Sequence, residues 1–362
     1  MALALIVHGG AGVIPQERHA AAQAGAQAAA LAGWRILQQG GSALDAVQAA
    51  IMVMEDHPGF NAGTGAVLTT DGRAQLDAGL MDGERLDVGA VASVERIKNP
   101  IRLAGVVLRS PHVLLVGAGA EQFAQESGMA LCDPAELVTQ RQYERWQHGY
   151  REGDDVHLGA ATSQAQDERD SLHGVVAFSA ASETNEAAEM TASNGKNGAH
   201  GKTNGQKPTS SAHRKPVEET AIHADDTKHG TVGAVAVDMH GHVAAGASTG
   251  GIAAKHPGRV GDTPLVGCGY CAEDGLGGVS STGHGEDFIR LLLARRALDY
   301  IARGASAQAA ANAAIKLLGE RVGGSGGLIL LDGQGRVGYA RNTPTMAHAY
   351  IIEGMRAPRA GV

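Results

Sequence analysis

A threonine follows a glycine at Gly230-Thr231, where a long polar tract ends and an apolar stretch, residues 232–237, begins. A threonine hydroxyl is a weak nucleophile by itself. As the first residue of a new chain it gains its own α-amine as a neighbouring base. Such an amine has an ordinary pKa of roughly 7.7–8.0, close to working pH. The junction therefore predicts that Thr231 cuts the Gly230-Thr231 bond, becomes an N-terminus, and then acts as nucleophile and base together. Three glycine-rich loops follow: Ser248-Thr249-Gly250-Gly251, Pro257-Gly258-Arg259-Val260-Gly261-Asp262 and Ser281-Thr282-Gly283-His284-Gly285-Glu286. Each alone is a weak signal. An isolated Thr-Gly marks a turn more often than a site, and Arg259 with Asp262 would more often be a structural ion pair.

These loops need a scaffold, and hydrophobic periodicity supplies one. An apolar run at residues 2–7 reads as a buried strand, because it carries no basic leader and runs into His8-Gly9-Gly10-Ala11-Gly12. Residues 15–39 are Ala-rich with one apolar helical face, and Ser42, three residues before Asp45, caps a second helix. Residues 67–70 and 75–78, about a turn at Asp71-Gly72, predict a hairpin; 88–94 and 113–116 predict strands, and Asn99-Pro100 opens a short helix. After Thr231, strands at 231–238 and 243–248 turn at His240-Gly241. Helices over 288–302 and 307–318, the latter capped by Ser306, precede a last hairpin turned by Asp332-Gly333. The second part echoes the first. The simplest architecture is a sheet-on-sheet core with helices outside on both faces, built from both halves.

Residues 151–230 break this texture. Ser, Asn, Gly, Lys and acids replace the apolar periodicity, so the segment reads as a solvated, disordered linker ending at the cleavage site, with a strand-like stretch at 172–178. The expected division is thus 1–150, linker, and 231–362. Its basic residues Lys196, Lys202, Lys207, Arg214 and Lys215 lie among acids without aromatic interleaving, which argues against nucleic acid. The whole chain, 362 residues at a formal charge of -8, argues the same way and against an anionic membrane surface. With 43% hydrophobic residues and no run long enough to span a bilayer, a cytoplasmic globular protein is expected. The 52 glycines against 3% aromatic residues point to tight turns and close backbone approaches. Cys132, Cys268 and Cys271 make no disulfide scaffold, and Cys268-Gly269-Tyr270-Cys271 lacks a second ligand pair, so ordinary small hydrophobes are expected. His148, His157, His200, His213 and His223 read as solvated.

Taken together and in order, the threonines and loops resemble the plant-type L-asparaginase and isoaspartyl peptidase group of N-terminal-nucleophile hydrolases. The resemblance covers residues 1 to about 150 and 229 to about 350. It implies a four-layer αββα sandwich and a precursor that cleaves itself into two subunits. It also implies hydrolysis of L-asparagine or β-aspartyl dipeptides to L-aspartate through an acyl-enzyme on Thr231. By the same resemblance Thr249 lies beside the new amine, and Thr282 with Gly283 forms the oxyanion hole. Arg259 grips the substrate α-carboxylate, Asp262 complements its α-ammonium, and Asn61 steadies the nucleophile. Glycine at 283 would let the substrate approach closely. The resemblance further implies a structural sodium held by backbone carbonyls of Met54, Glu55, His57, Phe60, Ala62 and Thr64, no cofactor for catalysis, and a homodimer of processed pairs.

Glycosylasparaginase shares this nucleophile, but glycine in place of aspartate at 230 and the missing signal peptide favour the asparaginase branch. A non-catalytic amino-acid-binding protein would keep Arg259 and Asp262 without needing three threonines. Gly117-Ala118-Gly119 after a strand lacks the third glycine and distal acid of a dinucleotide site. Two departures stand out: the tyrosine of Cys268-Gly269-Tyr270-Cys271 is displaced by one position from the related pattern, and His284 stands where threonine is common.

Overall fold

The apolar run that opens the chain becomes β1 (Ala4–Gly12), which lies inside a sheet and not at its edge. The computed structural model describes residues 3–148 and 230–362, and these belong to one unit. The linker expected over 151–230 lies outside the described residues except for Gly230, as do the 172–178 stretch and His157, His200, His213 and His223. Antiparallel partners flank β1 on both edges, β11 (Thr345–Ile352) and β5 (Val232–Val237). The sheet continues through β6 (Val243–Thr249), β2 (Leu76–Asp82), β3 (Val88–Val94) and β4 (Leu114–Val116). β12 (Arg359–Gly361) closes its other edge, giving eight strands in the order β12-β11-β1-β5-β6-β2-β3-β4. A second sheet of four strands contains β7 (Tyr270–Glu273), β8 (Gly277–Gly283), β9 (Gly326–Asp332) and β10 (Val337–Arg341), ordered β10-β9-β8-β7.

Strand side chains alternate between faces, and here both faces of the central strands are buried. Leu5 and Val7 of β1 join Val232 and Ala234 of β5 in a core with α1 (Gln16–Gln38), α2 (Ala43–Glu55) and α3 (Pro100–Leu108). Ala4, Ile6, Val235 and Val237 point the other way, into a core with the four-stranded sheet and with α7 (Leu293–Ala302) and α8 (Ala307–Val322). This double burial explains why both strands read as unbroken apolar runs. Ser42 and Ser306 cap α2 and α8 through the amides of Asp45 and Ala309, as their sequence positions predict. The structure is therefore mixed α/β. Among the described residues no helix is long and apolar enough to cross a membrane.

Two predicted elements differ. Residues 67–70 do not pair with 75–78: Thr69 closes a turn on Arg73, while β2 starts at Leu76 and pairs with β3 and β6. The released segment runs beside the second half instead, with Leu68 O accepting the Ala254 amide and Thr70 N donating to Lys255 O. The helix predicted over 288–302 is two helices, α6 (Gly285–Leu291) and α7. Leu292 between them takes the left-handed region at φ 52 and ψ 50. A single reversed residue leaves the apolar spacing almost unchanged, so periodicity could not reveal it. Also unforeseen were β7, β8, β11, β12, α4 (Gly117–Glu126) and α5 (Gln140–Gln147).

Candidate active site

Thr231 is the residue before β5, and Thr249 is the last residue of β6. The β5–β6 ladder pairs Val232 with Ser248, so the two threonines meet side by side at the same end. The Thr231 hydroxyl donates to Thr249 Oγ1 across 3.2 Å, and both residues are buried. Thr249 Oγ1 also accepts the Gly251 amide at 2.9 Å. With its lone pairs so engaged, its own proton is free to point elsewhere.

The small sheet faces this pair. Along β8, a Cβ on Gly278 would meet Val235, and Ser280 Oγ bonds His8 Nε2 at 3.1 Å and Gly246 O at 3.0 Å. A two-residue step beyond Ser280 brings Thr282 to the end where Thr231 lies. Thr282 is fully buried, and its Oγ1 accepts the Ala11 amide at 3.3 Å. Packing gives Gly283 a further reason to be glycine. A Cβ there would lie 2.5 Å from Ser325 O and 2.6 Å from the Phe288 ring, so close packing against β9 and α6 demands it. Asn61 approaches from the first half. Its Nδ2 donates to Gly251 O at 2.7 Å and its Oδ1 accepts the Val67 amide at 2.8 Å. A Cβ on Gly230 would overlap Asn61 Cβ, which places Asn61 directly against the residue before Thr231.

Arg259 and Asp262 come to the same region but do not pair as a direct salt bridge. Arg259 sends Nε and Nη2 to Glu286 at 2.8 and 2.6 Å, a two-point grip. The remaining Nη1 lies near Gly251, where a Cβ would stand 3.4 Å away. Asp262 is 3% exposed, and its Oδ2 has no hydrogen-bond partner among the described residues. Burial raises its carboxyl to about 7, against the opposing pull of Arg259. It rests on the turn before α6: a Cβ on Gly285 would lie 2.8 Å from Asp262 Oδ1. A guanidinium with an open edge and a desolvated carboxyl, beside two touching hydroxyls, suit a free amino-acid head group. The sequence profile of a family described as Asparaginase matches residues 1–206 and 198–357.

The chain belongs to the asparaginase family. It is 38% identical over 363 residues to a plant-type L-asparaginase of Pyrococcus furiosus, covering 99% of this chain and 100% of that protein. It is 39% identical to the plant-type L-asparaginase of Pyrococcus abyssi at the same coverage. An isoaspartyl peptidase/L-asparaginase of Xenopus laevis is 36% identical over 332 residues, 91% of this chain and 86% of the relative.

Sequence reasoning missed several groups around the site of this asparaginase-family chain. Glu286 is the plainest, a carboxylate at the start of α6 that fixes Arg259 and lies 3.4 Å from His284 Nε2. Its carboxyl is held below the ordinary range against the opposing effect of burial, through its bonds to Arg259. Lys255 and Asp77 are both buried behind Arg259, and desolvation lowers the lysine and raises the aspartate. Lys255 Nζ donates to Gln75 O at 2.8 Å. His8 is buried under Gly233, and burial lowers it to about 3, so the ring is neutral. Glu286 and His8 lay in glycine-rich stretches quoted from the sequence without a role, and Lys255 and Asp77 lay in no motif.

The 54–64 loop packs tightly. The carbonyls of Met54, Glu55 and His57 accept amides of His57, Thr64 and Phe60, and each keeps a second lone pair. Gly65, at φ 102, leaves room where a Cβ would press on Pro58 O at 2.7 Å and Phe60 O at 3.0 Å. The Glu55 side chain turns away to Ser248 Oγ and the Ile101 amide, and burial raises its carboxyl to about 8. Among the described residues no cluster of three His, Cys, Asp or Glu could hold a metal through side chains. Cys268 and Cys271 are free and buried with thiols pushed up to about 11, which fits their reading as packing residues. The displaced Tyr270 packs its ring over Gly79 of β2 inside the core.

Proposed function

We propose that this protein hydrolyses L-asparagine and β-aspartyl dipeptides to L-aspartate after cutting its own chain at Gly230-Thr231. The observation that carries this reading is the buried contact between the Thr231 and Thr249 hydroxyls beside Arg259 and Asp262. The relatives' names support the substrate class. In the uncut chain, Thr231 Oγ attacks the Gly230 carbonyl. The acyl group moves from nitrogen to oxygen, and water hydrolyses the ester to free the Thr231 amine. In turnover, Arg259 receives the substrate α-carboxylate on its open edge and ionised Asp262 receives the α-ammonium. Thr231 Oγ attacks the side-chain carbonyl while the amine takes its proton. The Thr282 hydroxyl and Gly283 amide face the negative charge that develops on oxygen. Ammonia or an amino acid leaves with a proton from the amine, and water releases aspartate.

The two sheets with helices outside each are read as the four-layer αββα sandwich of N-terminal-nucleophile hydrolases. The carbonyls of Met54, Glu55, His57, Phe60, Ala62 and Thr64 are those that would hold a sodium ion. Bound there, it would supply rigidity to the loop that carries Asn61. The processed pairs are read as assembling into a homodimer. Denaturing electrophoresis with N-terminal sequencing tests the central step. Two fragments are expected, the smaller beginning Thr-Val-Gly, and Thr231→Ala should remain one inactive chain. An intact chain that hydrolyses asparagine would sink the mechanism.

A further inference from the structure

Behind the open edge of Arg259 the fold buries a second cation. Lys255 is 2% exposed, and its Nζ donates to Gln75 O at 2.8 Å. A Cβ on Gly251 would lie 3.0 Å from Lys255 Nζ and 3.4 Å from Arg259 Nη1, so both cations border one small space. The balancing charge is Asp77 of β2, fully buried and paired across the ladder with Thr249. Its Oδ1 accepts the Ser93 amide at 2.8 Å, and the Gly261 amide also favours its charge, while Oδ2 has no hydrogen-bond partner among the described residues. Gln75 holds the same loop a second way, its Oε1 accepting the Gly258 amide at 2.8 Å. The start of β2 thus braces the loop that carries Arg259 and Asp262.

Two observations set this pair apart from an ordinary core ion pair. Burying two charges is costly, and well-packed apolar groups often serve stability as well or better. The backbone is also strained beside both members. Among the described residues four non-glycine residues take positive φ, and two of them are Ser93 at φ 53, whose amide holds Asp77, and Ala254 at φ 54, which precedes Lys255. Strain of that kind gathers at ligand clamps. We propose that Lys255 is a specificity-determining residue of the head-group site: a second cation which, across Gly251 and beside Arg259, selects ligands with a free α-carboxylate, with Asp77 as its counter-charge. This assignment rests on the activity proposed above. The carboxylate that pairs with Arg259 Nη1 stands near Gly251, and the missing side chain there lets it feel the ammonium beyond. A side chain at 251 would displace Lys255 from that place.

Competitive inhibition of asparagine hydrolysis tests it, with rates expressed per processed Thr231 N-terminus and the pH held above the titration of Asp262. The inhibitors are succinate, which is aspartate without its α-ammonium, and β-alanine, which is aspartate without its α-carboxylate. Lys255→Met keeps the buried stem and removes the charge. It should weaken succinate about tenfold, the scale of one partly screened charge, and leave β-alanine within about threefold. KM for asparagine should rise by more than kcat falls. Asp77→Asn removes the counter-charge and should move the preference for succinate over β-alanine the opposite way, by about threefold or more. A pair with a purely structural role would weaken both inhibitors in both variants. Equal changes in the two inhibitors, or the same direction in the two variants, would overturn the assignment and leave the activity intact. Where Lys255→Met fails to fold or to process, Asp77→Asn decides alone, and an unchanged or lowered preference for succinate overturns the assignment. A processed wild type that does not hydrolyse asparagine would overturn the activity itself and this assignment with it.

Discussion

The carboxyl of Asp262 titrates where the enzyme would work, and that makes its role measurable. Burial raises it to about 7 from the ordinary 3.8, with Arg259 opposing. If Asp262 must be ionised to hold the substrate ammonium, then at pH 5 about 1 molecule in 100 is competent, and kcat/KM falls about 100-fold through this group. The Thr231 amine, at roughly 7.7–8.0 when unperturbed, must also be unprotonated and adds a parallel limb. A wild-type plot of log kcat/KM should therefore steepen toward a slope of about 2 below pH 6, whereas Asp262→Asn should approach about 1. The variant's plateau should lie about 10–100-fold lower, the cost of one charge-assisted bond. Equal slopes, or a plateau at the wild-type level, would refute the assignment. Stability carries a second signature. Because the folded state favours the neutral form, its penalty is absent below pH 3.8, grows between pH 4 and 7, and is complete above pH 7. At about 1.4 kcal/mol per pH unit this reaches up to about 4 kcal/mol. Asp262→Asn should melt at a higher temperature than wild type at pH 8, and at the same temperature near pH 4.

Thr249→Val keeps the shape but removes the oxygen that meets Thr231 at 3.2 Å. Its kcat should fall about 100-fold or more, the scale of losing a proton-handling group, with slower self-cleavage visible on a timed gel. Glu286→Gln deprives Arg259 of a charged two-point partner. The expected result is a KM about tenfold higher with kcat within about threefold, since orientation of the head group and not bond making is affected. Gly233→Ala would drive a Cβ into Ser280 Oγ and His8 Nε2. Overpacking of about 1–3 kcal/mol should appear as a lowered melting temperature, and Ser280→Ala in the same chain should recover part of it.

Periodicity recovered the elements whose burial is simple. The apolar face of 15–39 became α1, and Ser42 and Ser306 marked true helix starts, because a side-chain cap depends on neighbours three residues away. The runs at 2–7 and 231–238 announced strands, and the structure buries both faces of each. Tertiary competition defeated the local pattern at 67–70, where backbone groups serve Asn61, Ala254 and Lys255 in place of a hairpin partner. At the site, the threonines and the Arg259 and Asp262 loop were legible because their types and order are distinctive. Glu286, Lys255, Asp77 and His8 were not, since each acts through a contact made across the fold. Gly283 showed the converse: its identity was plain, but one demand on it, the close approach of Ser325, Gly326 and Phe288, belongs to packing and lies across the fold.

The order of strands in the large sheet has a bearing on what self-cleavage would leave behind. β1 comes from before the cut, yet both strands zipped to its edges come from after it, and β2 is zipped to β6 in turn. Each fragment would thus hold unsatisfied backbone edges that the other alone completes. Severing Gly230-Thr231 would alter covalent connectivity while leaving every ladder in place, so the pieces would behave as one cooperative body until that body melts. A fragment made separately would present open strand edges, the usual template for aggregation. If the chain is cut there, its uncut form would serve as the assembly device: it would deliver two interdependent pieces already woven, with the cut following the weave.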